Sequence, residues 1–361
     1  MRALSDSLVA LVIRGFRYVM MFSKRPLSMR ATRGANLVRA EVRRGPYFNP
    51  GAMTPARIRR ATLAAIAAVL ALALGACAGE ANDTPGSIVV GGAKRTYVVH
   101  VPAKLGSSVP LLLSFHGHFG SGAGQARLTN FGALSDRYGF IVVYPDGINR
   151  GWNDGREGKQ GADDLGFVKA LIADFSRRYP IDPKRIYVNG FSNGAMFSQY
   201  VGCTLTTQIA AIAPVSGYMP TEDAAGCHPG RPISVLEIGG TADPVMPFTG
   251  GEIKLLGFKR GAAVLSAKQT ISRWRNNAKC KAPSQVAALA PIATNDGTSI
   301  TRTIYASCVN GTSVMLYTVI GGGHAWPGGW QYAPKLIIGR ASTQLNASQT
   351  IVEFFLAHPM R

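Results

Sequence analysis

The segment Val188-Asn189-Gly190-Phe191-Ser192-Asn193-Gly194-Ala195-Met196 constrains this chain more than any other. It places Gly-x-Ser-x-Gly between a short apolar run and a run that can continue as a helix. Arg185-Ile186-Tyr187-Val188 has strand-forming residues, whereas Ala195-Met196-Phe197-Ser198-Gln199-Tyr200 suits a helix, so the pentapeptide falls on a strand-to-helix turn. Such a turn crowds the positions two before and two after the serine against each other, and glycine is the residue that fits there. The helix that begins at the serine directs free amide groups toward it and favours negative charge nearby. Ser192 is therefore a candidate nucleophile. With 42 glycines in 361 residues, the bare pattern could arise by chance, and the strand before it and the helix after it argue against that.

A nucleophilic serine needs an acid and a base, and both follow in the order serine, acid, histidine. Ile233-Ser234-Val235-Leu236-Glu237-Ile238 reads as a buried strand and ends in Gly239-Gly240-Thr241-Ala242-Asp243, which makes Asp243 the candidate acid. Val314 to Ile320 is another strand-like run, followed by Gly321-Gly322-Gly323-His324-Ala325-Trp326-Pro327-Gly328. His324 is the candidate base, because the glycines let the backbone bend the imidazole over the serine. Trp326 is expected to offer the substrate an aromatic wall. His100, His228 and His358 read as packed or surface residues. Upstream, Val109 to Phe115 leads into His116-Gly117-His118-Phe119-Gly120, where the backbone N–H of His118 would join that of Asn193 as an oxyanion hole. His116 and His118 also invite a metal reading, but no acidic or cysteine ligand accompanies them.

The set His116-Gly117, Trp152-Asn153, Asp163-Asp164-Leu165-Gly166-Phe167, Gly190 to Gly194, Gly240-Thr241-Ala242-Asp243 and Gly322 to Gly328 resembles the polyhydroxybutyrate depolymerase-type esterases. These are related to the feruloyl and acetylxylan esterases of carbohydrate esterase family one. The resemblance runs from about Gly86 to the chain end. It implies a secreted serine esterase with an α/β-hydrolase core and neither metal nor cofactor. Ala195, where many relatives carry glycine, and His118, where several have cysteine or glycine, depart from the pattern without touching a triad side chain. Asp163 and Asp164 read as a cap for the helix that opens there, and Trp152 is a candidate substrate platform with burial under a loop as the alternative.

The amino-terminal part decides the expected compartment. Arg57, Arg59 and Arg60 precede the uncharged apolar stretch Ala61 to Leu74, which has signal-peptide length, and Leu74-Gly75-Ala76-Cys77 resembles a lipobox. We expect residues 1–52 to be a mis-called upstream start or a basic leader, 53–76 a lipoprotein-type signal peptide with Met53 as start, 77–85 a short tether, and 86–361 one esterase domain. Cys77 would be lipidated and the protein exported to the envelope. The formal charge of +20 is inflated by this region: through Arg60 the chain holds 13 basic and 2 acidic residues, leaving 26 against 17, a net +9, for the rest. No zinc-finger spacing or other nucleic-acid motif accompanies that charge.

Beyond Cys77, four cysteines allow three pairings. We expect Cys203–Cys227, tying the helix after the serine to the loop before the acid's strand, and Cys280–Cys308, closing the insertion ahead of the histidine's strand. Strands near Thr96, Leu111, Ile141, Ile186, Ile209, Val235 and Met315 alternate with helices near Gly166, Ala195, Ala263 and Thr350. This calls for a single α/β domain, with a mostly parallel sheet covered on both faces. Without a second surface-binding module the enzyme would act as a monomer on small or oligomeric esters: hydroxyalkanoate oligomers, or feruloyl or acetyl esters of carbohydrates. The competing readings are a non-catalytic binding lipoprotein on a hydrolase scaffold and a serine peptidase.

Overall fold

A computed structural model describes residues 83–156, 161–255, 258–281 and 284–361. The expected leader, the lipobox and Cys77 lie outside the described residues. Within these, no helix is long and apolar enough to cross a membrane.

The chain is organised around a ten-stranded sheet whose centre is parallel. In chain order its strands are β1 (Asp83–Val90), β2 (Ala93–His100), β3 (Val109–Phe115), β4 (Ile141–Pro145), β5 (Ile181–Phe191), β6 (Ala211–Val215), β7 (Ser234–Gly240), β10 (Gln285–Ala288), β11 (Ser299–Tyr305) and β12 (Val314–Ile320). Their spatial order is β1-β2-β4-β3-β5-β6-β7-β12-β11-β10. The neighbours from β4 through β12 pair in parallel, and the hairpins at the two ends are antiparallel. A separate hairpin is formed by β8 (Gly251–Leu255) and β9 (Phe258–Val264).

Every residue of β3, β4, β6 and β7 is buried, as expected for strands covered on both faces. Alternation along the pleat divides them between two cores. Leu111, Leu113 and Phe115 face one core, which also takes Phe167, Leu171 and Phe175 of α3 (Asp164–Arg178), Met196, Phe197 and Val201 of α4 (Asn193–Thr204), and Ile271 and Trp274 of α6 (Ala267–Asn277). Leu112 faces the other, with Ala126 of α1 (Gly122–Thr129), Phe131 of α2 (Phe131–Tyr138), and Ile351 and Phe355 of α8 (Ala347–Ala357). Two one-turn helices, α5 (Thr221–Ala224) and α7 (Lys335–Ile338), complete the α-helices among the described residues. The apolar spacing read along 165–179 is that of α3's buried face, and Asp163 caps it by accepting the Gly166 N–H at 2.7 Å.

Several expectations are corrected. β1 begins at Asp83, so the tether assigned to 77–85 overlaps the first strand. Ala263 lies in β9 and not in a helix. That helix starts at Ala267 behind a capping box in which Ser266 and Gln269 satisfy each other's backbone N–H groups. The strand placed near Ile209 begins at Ala211. The structure pairs Cys203 with Cys227 and Cys280 with Cys308, the first joining the end of α4 to the loop before β7, the second the end of α6 to the segment before β12.

Candidate active site

β5 delivers the chain to Ser192 and α4 leaves from it. The serine itself is held at φ 57°, ψ −120°, outside the regions comfortable for an L-residue. The glycines make this turn possible. A Cβ on Gly190 would lie 2.2 Å from the Gly194 carbonyl oxygen, and one on Gly194 would lie 2.4 and 2.5 Å from the carbonyl oxygens of Phe115 and His116. The first contact is the crowding expected from the sequence. The second shows that Gly194 also lets the loop after β3 close against the turn.

Three strand ends converge here. Asp243, in the loop after β7, and His324, in the loop after β12, reach Ser192 from neighbouring parallel strands. His324 Nε2 stands 2.8 Å from Ser192 Oγ, and His324 Nδ1 stands 2.8 Å from Asp243 Oδ2. The other oxygen of Asp243 accepts the N–H groups of Val245 at 2.8 Å and Met246 at 2.7 Å. With these two donors on Oδ1, the carboxylate presents Oδ2 to the imidazole and holds the proton on Nδ1, leaving the Nε2 lone pair for the serine hydroxyl. The Phe191 ring packs at 5.0 Å from the imidazole. Tyr332 donates its hydroxyl to the His324 carbonyl at 2.9 Å. The histidine is thus fixed in tautomer and in place.

Asn193 is the first residue of α4, and its N–H has no acceptor within the helix. Its side chain is clamped: Oδ1 accepts the Trp152 N–H at 2.8 Å, and Nδ2 donates to Asp154 Oδ2 at 2.6 Å. Opposite it runs the loop His116-Gly117-His118, in which Gly117 approaches Ser192 so closely that a Cβ would lie 3.3 Å from the serine Cβ. His116 is buried and structural. Its Nε2 accepts the Gly147 N–H at 3.0 Å, so Nδ1 carries the proton donated to the Gly117 carbonyl at 2.8 Å, and burial pushes its pKa down. Both ring nitrogens are engaged, which leaves none for a metal. No group of three or more His, Cys, Asp or Glu among the described residues could hold a metal ion.

Ser192 opens into a cavity of about 810 Å³ lined by His118, Phe119, Asn193, Met196, Trp330 and Tyr332, among others. The two tryptophans expected to face a substrate do not line it. Trp152 is 2% exposed, stacks on Phe197 and donates its indole N–H to the His116 carbonyl, so it buttresses the His116–His118 loop from behind. Trp326 is 1% exposed and donates to Ser348 Oγ at 3.0 Å, so it packs into the core. The aromatic wall comes instead from Trp330, which is 53% exposed, and Phe119, which is 58% exposed. A tryptophan four residues beyond Trp326 in the same glycine-rich loop was the available signal. Asp164 is also more than a cap: it pairs with Arg95 at 2.6 Å and accepts the Asn153 N–H at 2.7 Å, anchoring the loop that carries Trp152.

Comparison with known proteins agrees with this architecture. A family model described as Phospholipase/Carboxylesterase matches residues 159–256, a stretch holding Ser192 and Asp243. NocK of Nocardia uniformis subsp. tsuyamanensis, an esterase by name, is 31% identical over 291 residues, covering 77% of this chain and 83% of its own. Feruloyl esterase B of Piromyces equi is 33% identical over 60% of this chain, which spans 40% of that larger protein. Among solved structures, the acetyl xylan esterase from Aspergillus awamori aligns with a TM-score of 0.53 over 76% of this chain and 99% of its own, at 15% identity, a likeness of fold. With the match to NocK running through most of both chains, the protein belongs to the carboxylesterase family of the α/β-hydrolases.

Proposed function

We propose that the protein is an exported esterase that cleaves carboxylic esters through an acyl-enzyme on Ser192. The observation that carries this reading is the relay Asp243–His324–Ser192, with both contacts at 2.8 Å and both partner side chains buried. His324 Nε2 takes the hydroxyl proton as Ser192 Oγ attacks the ester carbonyl carbon. The carbonyl electron pair moves onto oxygen, where the N–H groups of His118 and Asn193 would hold it. The intermediate collapses, the C–O bond to the alcohol breaks, and the imidazolium returns its proton to the leaving oxygen. Water then repeats the sequence on the acyl-enzyme and releases the acid.

The cavity's apolar residues, with Trp330 and Phe119 exposed in its lining, suit an aromatic or short acyl group. The names of the relatives favour feruloyl or acetyl esters of carbohydrates over hydroxyalkanoate oligomers as substrates. The two disulfides suit an oxidising compartment, and anchoring through Cys77 is part of the same proposal. The test is a panel of a feruloyl ester, an acetylated xylan fragment, a hydroxybutyrate trimer and a peptide amide, each with wild type and Ser192→Ala. Turnover of at least one ester by wild type and loss by several orders of magnitude in the variant is expected. Equal turnover by the two proteins would overturn the mechanism, and amide cleavage exceeding ester cleavage would overturn the substrate class.

A further inference from the structure

The cavity above Ser192 is mostly apolar but not neutral in charge. Among its described lining residues are three cations, Arg150, Arg156 and Lys254, and no carboxylate. They come from different segments on its two sides. Arg150 sits at φ 59° beside the oxyanion loop and donates its Nε–H to the Gly120 carbonyl at 3.2 Å. Lys254 lies on β8 beyond the acid's loop, its N–H bonded to the Val245 carbonyl at 3.0 Å. Arg156 is held most firmly: Nε and Nη2 both donate to the fully buried Asp154 at 2.8 Å, and its side chain is 12% exposed.

Asp154 connects this arginine to the machinery, because its Oδ2 also accepts from Asn193 Nδ2 at 2.6 Å. The guanidinium is thus fixed in plane beside the residue that follows the nucleophile, and its two bonds to Asp154 leave the Nη1 amino group for a further acceptor. Asp154 and Asp223 act on Arg156 from the protein side, so Arg150 and Lys254 supply the surplus positive charge. A preorganised, largely desolvated arginine flanked by two exposed cations is an arrangement that selects an anionic group.

We propose that this basic lining recognises a carboxylate-type group carried by the ester substrate, with Arg156 as the specificity-determining residue; the inference rests on the esterase reading above. A neutral alkyl ester would offer no anion to Arg150 and Lys254 or to the Nη1 side of Arg156, whose Nε and Nη2 are already taken by Asp154. A substrate with an acidic substituent on its acyl or alcohol half would place that group against Arg156 while the scissile carbonyl sits at Ser192.

The experiment compares two matched pairs. On the acyl side, 4-nitrophenyl hemiglutarate is set against its neutral carboxamide counterpart; on the alcohol side, O-feruloyl glycolate is set against the glycolamide ester. The quantity read is the ratio of kcat/KM for the anionic to the neutral ester within each protein. In wild type at low salt, one of the two pairs should give a ratio on the order of tenfold or more, shrinking as NaCl is raised, as expected for a hydrogen-bonded charge pair reinforced by nearby cations. Arg156→Gln should bring that ratio close to one. Because Arg156 also steadies Asp154, the exposed-site double variant Arg150→Gln/Lys254→Gln serves as a second probe, and it should lower the ratio and flatten its salt dependence. Ratios near or below one for both pairs in wild type, or a high ratio that survives in both variants, would overturn the proposal while leaving the triad reading intact. Failure of wild type to hydrolyse the neutral esters as well would count against the triad and, with it, this inference.

Discussion

Replacing Asp243 with asparagine tests whether the acid acts by fixing a tautomer. The carboxylate is spoken for on both oxygens: Oδ1 accepts the Val245 and Met246 N–H groups and Oδ2 faces His324 Nδ1. Asparagine keeps the shape but has one acceptor and one NH₂. Turning the NH₂ toward the two amides would set donor against donor in a site whose side chain is 0% exposed, at about 1–3 kcal/mol per unsatisfied group. The oxygen therefore keeps the amides and the NH₂ faces the histidine. Nδ1 must then accept, so the imidazole proton moves to Nε2 and points at Ser192 Oγ, which loses its base. The same tautomer error in a serine triad costs about 10⁴ in kcat, and we expect a fall of that order, about 5 kcal/mol in barrier. The assay is steady-state ester hydrolysis beside thermal unfolding. Turnover within tenfold of wild type in a normally folded variant would refute the tautomer argument and move the acid elsewhere.

Gly194→Ala should lower kcat on the order of 10²-fold, because its Cβ would strike the Phe115 and His116 carbonyls and displace the oxyanion loop. Gly106→Ala, where the nearest atom is 3.9 Å away, should behave as wild type in the same assay. Glu237 is wholly buried with one oxygen unpartnered, and burial raises its pKa well above the carboxylate range. A raised folded pKa means stability present below the unfolded value and lost as pH climbs through the folded one. The Tm of wild type relative to Glu237→Gln should thus fall between pH 5 and pH 8, and a Tm difference independent of pH would contradict this. The two disulfides, 24 and 28 residues apart in sequence, should each contribute about 3–4 kcal/mol. Reductant should lower Tm, and unreduced intact mass should lack two hydrogens per bond.

That Ser192, Asp243 and His324 meet was legible in the sequence because each follows an apolar strand run and sits in a glycine-marked turn, and parallel strands deliver such turns to one edge of a sheet. Burial is what the sequence did not carry. Trp152 and Trp326 stand in loops where a cleft belongs, yet their indole N–H groups find partners inside, and Trp330 and Phe119 take the exposed positions. The short helices 122–129 and 131–138 escaped notice because the first holds two glycines and neither spans enough turns for a clear period. The helix expected near Ala263 was displaced by a hairpin whose partner strand, β8, carries Gly251, Glu252 and Lys254 among its five residues, although the Ser266–Gln269 capping box marked its true start. Arg156 gave no signal: it contacts Asp154 and, through it, Asn193, residues that only the folded chain brings together.

Acylation of Ser192 during turnover can be seen by intact-mass and peptide mass spectrometry after treatment with a fluorophosphonate and, separately, after rapid acid quench during turnover of a slow ester. One adduct per chain is expected in both cases, located on the peptide that carries Ser192 and absent from Ser192→Ala. Ester turnover by wild type with no adduct in either experiment, or an adduct that persists in Ser192→Ala, would rule out Ser192 as the acylated nucleophile.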